Sequence, residues 1–272
     1  MRRLPLLASV LALACGGSPS PAPVTPETAE APAAARVHAH VDSVTPRAAV
    51  AAAVSAPDRT DDDRTLDGGR HPAEVLSFFG IEPGQRVAEL FAGGGYTTEL
   101  LARAVGPSGL VLAQNDTFIL DRFARGPLTQ RLERLAMPQI VAVELPFDAP
   151  LPPDATSLDA VLFVLSYHDT AWMQVDRAAM NRAVFAALRP GGVYGIVDHA
   201  AAEGHGVDDV QTLHRIEESV VIDEVTAAGF VLESELDVLR NPTDPHDWND
   251  SPREAGERRG TSDRFVLRFV HP

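Results

Sequence analysis

From Leu158 to Ser166 the chain is an almost uninterrupted apolar run, broken only by Asp159. A strand with one wet face alternates polar and apolar residues. A run without alternation is expected of a strand covered on both faces, and such strands belong to parallel sheets flanked by helices. The rest of the chain has to supply those helices.

It does so in alternation. A helix is expected over His71–Phe79, with Pro72 in its first turn and Gly80 as its stop. A strand follows at Arg86–Phe91, a helix at Thr97–Val105 and a strand at Leu110–Gln114. Phe118–Ala136 reads as helix interrupted at Gly126-Pro127, and Gln139–Leu145 as strand. After the apolar run come a helix at Asp176–Leu188, a strand at Val193–Val197 and a helix at Ile216–Ala228. Phe230–Leu239 and Arg264–Val270 are strands with no helix between them, which predicts antiparallel pairing at one edge. The expected fold is α/β: a doubly wound, mostly parallel, seven-stranded sheet with helices on both faces. In such folds ligands bind beyond the C-terminal ends of the strands, where the strand order reverses.

Among the 272 residues, Lys+Arg number 23 and Asp+Glu 38, a net charge of -15. Phosphate contacts need cations, so the balance argues against nucleic acid as a partner and against attraction to anionic lipid. A hydrophobic content of 45% is enough for a core. Cys15 is the sole cysteine, which excludes internal disulfides and multi-cysteine metal sites.

Met1-Arg2-Arg3 is a basic start, and Leu4 to Ala14 an apolar run too short to span a bilayer. Leu11 to Gly17 resembles a bacterial lipoprotein signal, which implies a signal peptide at 1–14, cleavage before Cys15 and lipidation of its sulfur. Residues 15–57 are rich in Ala and Pro and read as a flexible tether, with at most a helical turn at Ala48–Val54; the folded domain is expected over 58–272. The implied location is the cell envelope, facing the periplasm or exterior, with the lipid anchor as the only membrane contact. A misassigned start would place the protein in the cytoplasm.

Strand one runs into Glu89-Leu90-Phe91-Ala92-Gly93-Gly94-Gly95-Tyr96 and then a helix. Glycines allow a sharp turn and close ligand approach, and the helix N-terminus favours an anion. The loop resembles the first motif of class I S-adenosylmethionine-dependent methyltransferases. Phe91 stands where that family has its first glycine. Ser157 to Val161 with Asp148, and Leu188 to Gly192, resemble two later segments of the same family. Arg70-His71-Pro72, Tyr167-His168-Asp169, Asp198-His199 and Leu239-Arg240-Asn241-Pro242 are similar to a bacterial group of predicted methyltransferases. The resemblance implies S-adenosylmethionine as cofactor, held by Glu89, Phe91, Gly93, Gly94, Gly95, Tyr96, Asn115, Asp116 and Asp148. Glu89 would hold the methionine amine, Asp148 the adenine, and Asn115, where the family has an acid, the ribose.

His168-Asp169 and Asp198-His199 close two strands expected to be neighbours. Three readings of this cluster stand open. His168 or His199 is a general base oriented by Asp169 or Asp198; Asp169 and Asp198 hold a divalent metal; or the pairs only bond each other and cap loops. His214-Arg215 lies nearby in sequence at the start of the next helix. Asp61-Asp62-Asp63 reads as a solvated run. The expected function is methyl transfer to a small molecule. The alternative is a non-catalytic or repurposed ligand-binding lipoprotein, with metal among its ligands.

Overall fold

The computed structural model describes residues 38–272. The signal segment, Cys15 and the first part of the tether lie outside the described residues. The chain runs β1 (Ala39–Val41), α1 (Ala48–Val54), α2 (Asp61–Arg70), α3 (Pro72–Phe78), β2 (Arg86–Leu90), α4 (Tyr96–Val105), β3 (Leu110–Asn115) and α5 (Thr117–Ile119). A π-helical turn at Leu120–Ala124 leads into α6 (Arg125–Leu135), β4 (Ile140–Glu144), β5 (Leu158–Val164), α7 (Tyr167–Trp172) and α8 (Arg177–Ala187). The remainder is β6 (Leu188–His199), α9 (Glu218–Ala227), β7 (Val231–Leu236) and β8 (Arg264–Val270).

The strands form one sheet of order β1-β7-β8-β6-β5-β2-β3-β4. All neighbours are parallel except β8, which runs antiparallel to both β6 and β7. Strand order reverses between β2 and β5, so the loop after β2 opens at the switch point. The two faces follow from the period of two. On β2, Val87 points to one core and Ala88 to the other; on β5, Ala160 and Leu162 oppose Val161 and Phe163. One core is closed by α1, α3 and α4, the other by α5, α6, α8 and α9.

Three differences from the sequence reading have physical causes. The sheet has eight strands, because residues 39–41 add a parallel strand beside β7. Folded structure therefore begins well before residue 58. Within the stretch read as tether, α1 buries Val50 and Ala53, spaced three apart on one helical face, against α3 and α4. The third is Asp63, read as part of a solvated run. It is buried, and accepts from Arg131 Nη1 and Nη2 at 2.6 and 2.8 Å. Thr60 caps the same helix by accepting from the Asp63 amide at 3.2 Å. Among the described residues no helix is long and apolar enough to cross a membrane.

If α1 belongs to the fold, Val50→Ala is expected to lower stability by about 2 kcal/mol, from two lost methyl groups plus the cavity left behind. Urea unfolding should show a lower midpoint at unchanged slope. A variant as stable as the parent would return this segment to the status of a linker.

Candidate functional site

The glycine loop is held in place from below and from the side. Its first residue, Phe91, has φ 55°, a left-handed backbone, and its ring stacks on Phe147 at 5.3 Å. The amides of Phe91 and Ala92 donate to the Gln114 side chain and carbonyl at 3.2 and 2.8 Å. Gly93 N–H donates to Asn115 Oδ1 at 2.8 Å, and Arg131 Nε donates to the Gly94 carbonyl at 2.7 Å. Gly93 itself has φ +56°, and a side chain there would meet nothing within 4 Å. That side of the loop is open. Gly95 also needs its glycine: φ is +84° and a Cβ would stand 3.0 Å from both Leu128 and Arg131.

Glu89, the penultimate residue of β2, is buried and accepts a hydrogen bond from Thr98 Oγ1. Burial pushes its carboxyl up to about 7 despite that bond and the nearby Arg70. Arg70, from the end of α2, lies over the Tyr96 ring at 4.5 Å. Burial lowers its pKa, against the pull of Glu89 and Asp63. No hydrogen bond joins Arg70 to Glu89 among the described residues, so an acid and a guanidinium face one loop unjoined.

The other expected cofactor residues are placed differently. Tyr96 donates to Asp67 Oδ1 at 2.6 Å, tying the loop to α2. Asn115 is fully buried with its amide on Gly93, supporting the loop from the strand end. Asp116 caps α5, accepting from the Ile119 amide at 2.8 Å. Asp148 lies exposed beyond β4. Gln114, which the sequence reading did not single out, is a second buried support for the loop; its alternation with Asn115 at a strand end was the available signal.

The polar cluster forms at the ends of β5 and β6. Asp198 is fully buried and accepts from the His168 amide at 2.7 Å and from the His199 amide at 2.8 Å. Its Oδ1 also lies 2.7 Å from His168 Nδ1. On the far side of the ring, His168 Nε2 is 3.1 Å from His214 Nδ1 and 3.5 Å from Asp169 Oδ1. Trp172 Nε1 donates to the same Asp169 oxygen at 2.8 Å. Burial alone would lower the His168 pKa, but the Asp198 and Asp169 carboxylates outweigh it and raise it to about 9. His214 is held low by burial and by the charge of His168. Asp198 stays low because His168 offsets the desolvation that would raise it.

The His199 ring lies edge-on to His168 at 5.8 Å but makes no side-chain hydrogen bond to this group. It turns to Asp250 and to Ser262 Oγ, the latter at 2.9 Å, and burial lowers its pKa. Strand alternation explains the split, since Asp198 and its neighbour His199 point to opposite faces. The cluster is thus His168, Asp169, Asp198 and His214, and His214 is its most exposed imidazole. His214 has φ 55° and precedes the fully buried Arg215, whose guanidinium binds Asp244 and the carbonyls of Ala200 and Trp248. As a loop residue its place is set by tertiary contacts, which no local pattern reveals.

The fold is that of class I S-adenosylmethionine-dependent methyltransferases. One similar structure is a SAM-dependent methyltransferase from Aquifex aeolicus, with TM-score 0.54 and 16% identity over 79% of this chain and 100% of that one. Another is a putative methyltransferase bound to the Trm112 activator from Haloferax volcanii, with TM-score 0.54 and 19% identity over 84% and 99%. The [4+2]-cyclase SpnF matches with TM-score 0.51 and 15% identity over 77% and 80%. No family model and no curated protein sequence matches. One fold thus carries proteins named for different chemistries, and the reaction has to be argued from the site.

A left-handed backbone costs a residue with a Cβ about 1–2 kcal/mol, and glycine nothing. Phe91→Gly is therefore expected to be more stable than Phe91→Ala by about 1 kcal/mol, the reverse of the usual order. Thermal unfolding of the two variants measures it. The usual order would mean that the loop is not left-handed at this position.

Proposed function

We propose that the protein binds S-adenosylmethionine at the loop after β2 and transfers its methyl group to a small-molecule acceptor. The observation that carries the reading is the pair formed by Glu89 and Arg70, unjoined beside an open glycine at the switch point of this fold. A zwitterionic amino-acid head needs such a pair: Glu89 for the ammonium and Arg70 for the carboxylate. When bound, the cofactor supplies a methyl group already activated on a sulfonium sulfur. The chain's part is to hold donor and acceptor in line and to manage one proton.

For that proton the His168–His214 pair is the candidate. With His168 neutral, its Nδ1–H donates to Asp198 and its Nε2 accepts from His214 Nδ1–H, which leaves His214 Nε2 bare. The acceptor's proton goes to His214 Nε2 while the Nδ1 proton of His214 passes to His168, whose charge the Asp198 and Asp169 carboxylates favour. Phe118 and Phe123 lie exposed nearby, with the Phe118 ring 6.3 Å from Trp172, which favours an acceptor with an apolar face. A small acceptor also agrees with the acidic charge, which disfavours nucleic acid.

We further propose, from the lipoprotein-type signal, that Cys15 is lipidated and the domain sits at the cell envelope. Mass spectrometry of the native N-terminus tests this; an unprocessed Met1 would refute it.

Calorimetric titration of S-adenosylmethionine into the metal-free full-length chain is expected to give micromolar binding, weakened at least about thirtyfold by Glu89→Gln, since hydrogen bonds to charged groups contribute about 2 kcal/mol. Glu89 has its folded value, about 7, above the ordinary 4.5, so it is largely protonated below neutrality and binds a cation only when ionised. Affinity should therefore rise about tenfold from about pH 6 to about pH 8 and stay flat in Glu89→Gln. No binding at millimolar cofactor would end this reading.

A further inference from the structure

The polar cluster has a second property, a donor spacing that suits a metal ion in place of that proton. His168 Nε2, His214 Nδ1 and Asp169 Oδ1 form a small triangle with sides of 3.1, 3.5 and 3.8 Å. Atoms bound ~2.1 Å from a zinc ion at the tetrahedral angle stand ~3.4 Å apart. The three donors are thus already spaced as ligands of one ion, and placing a cation among them asks for shifts of a few tenths of an ångström. We propose that His168, Asp169 and His214 bind one divalent transition-metal ion.

Three further observations fit a metal centre. A ligating imidazole usually gives its other ring nitrogen to a carboxylate, which fixes the tautomer and aims the free nitrogen. His168 has that arrangement: Nδ1 lies 2.7 Å from Asp198 Oδ1, leaving Nε2 for the triangle. A ligating carboxylate is usually hydrogen-bonded in turn, and Trp172 Nε1 holds Asp169 Oδ1 at 2.8 Å. The ligands also sit on fixed supports. His168 and Asp169 are consecutive residues in the first turn of α7, and His214 adjoins the buried Arg215 with its ion pair to Asp244.

The donor set selects the metal. Two imidazoles and one carboxylate suit zinc, cobalt, nickel or iron(II), whereas magnesium and calcium require oxygen ligands. Three protein ligands leave a fourth position open, as in catalytic rather than structural zinc sites. The Asp169 and His214 side chains keep 14% and 29% of their surface exposed, so the ion has a way in. Binding would expel the proton shared between the two imidazoles. The open position would take an oxygen of the methyl acceptor; that role rests on the methyl-transfer reading, and metal binding itself does not.

The test uses the full-length chain, freed of metal with a chelator and titrated with Co2+ in the absence of S-adenosylmethionine. Saturation at one equivalent is expected, with visible d–d bands that Zn2+ abolishes by competition and Mg2+ does not. His214→Ala, at a partly exposed loop position, should weaken binding at least about a hundredfold, and Asp198→Asn about ten- to a hundredfold. Circular dichroism shows that each variant is folded. A second cluster, His38 with His40 and Glu235, also brings three donors together at the outer edge of the sheet, and His40→Ala is expected to leave Co2+ binding unchanged. The proposal is overturned by absence of saturable binding up to millimolar Co2+, by undiminished binding in His214→Ala, or by loss of binding in His40→Ala. Because this titration contains no cofactor and the calorimetry contains no metal, either can fail while the other succeeds.

Discussion

A carboxylate with no access to water has to find every partner inside the protein. Asp198, at the end of the twelve-residue strand β6, finds two backbone amides and one imidazole. Two of these partners belong to His168, at the start of α7. The pairing therefore locks the exit of β5 to the exit of β6 and fixes where the chain turns. It also decides which nitrogen of His168 is left over, and so what the cluster can do. Without Asp198 the ring of His168 would lose the partner that sets its direction.

The opposite wall of the cluster depends on a second buried charge. Arg215 is fully enclosed, and it meets Asp244 and two carbonyls. Asp244 also accepts from Trp248 Nε1 and from the amide of Asp263, at 2.7 Å each. One cation thereby organises the long connection between β7 and β8, although that connection has almost no regular structure. His214 takes its position from this arrangement. The chemistry of the site is accordingly shared between a rigid strand end and a loop made rigid by ion pairing.

What could be read from the sequence follows from the range of the forces involved. β5 and the glycine loop were legible because their signals are local: an apolar run buried on both faces, and residues whose backbone freedom a turn demands. His168, Asp169 and Asp198 were legible as strand-end residues of neighbouring strands. The turn of His199 toward Asp250 and Ser262 was not, since its partners lie more than fifty positions away. α1 was legible only as a helical turn at Ala48–Val54 and was assigned to the tether, because an alanine-rich helix shows little polar contrast; β1 was missed because three residues carry no period. Asn115 and Gln114 were visible as polar residues at the end of β3, but their engagement with the loop backbone needed coordinates.

The strand that the sequence hid also bears on how copies of this molecule meet. An open sheet edge offers unpaired amides and carbonyls on which another chain can build, and short or charged edge strands blunt that template. Among the described residues, one edge is the three residues of β1, with exposed His40 beside Asp237. The other is β4, whose Glu144 is bridged to Arg125 across the rim. Both ends of a sheet that is apolar through its centre are thus short or charged, which protects the protein against templated aggregation at high local concentration.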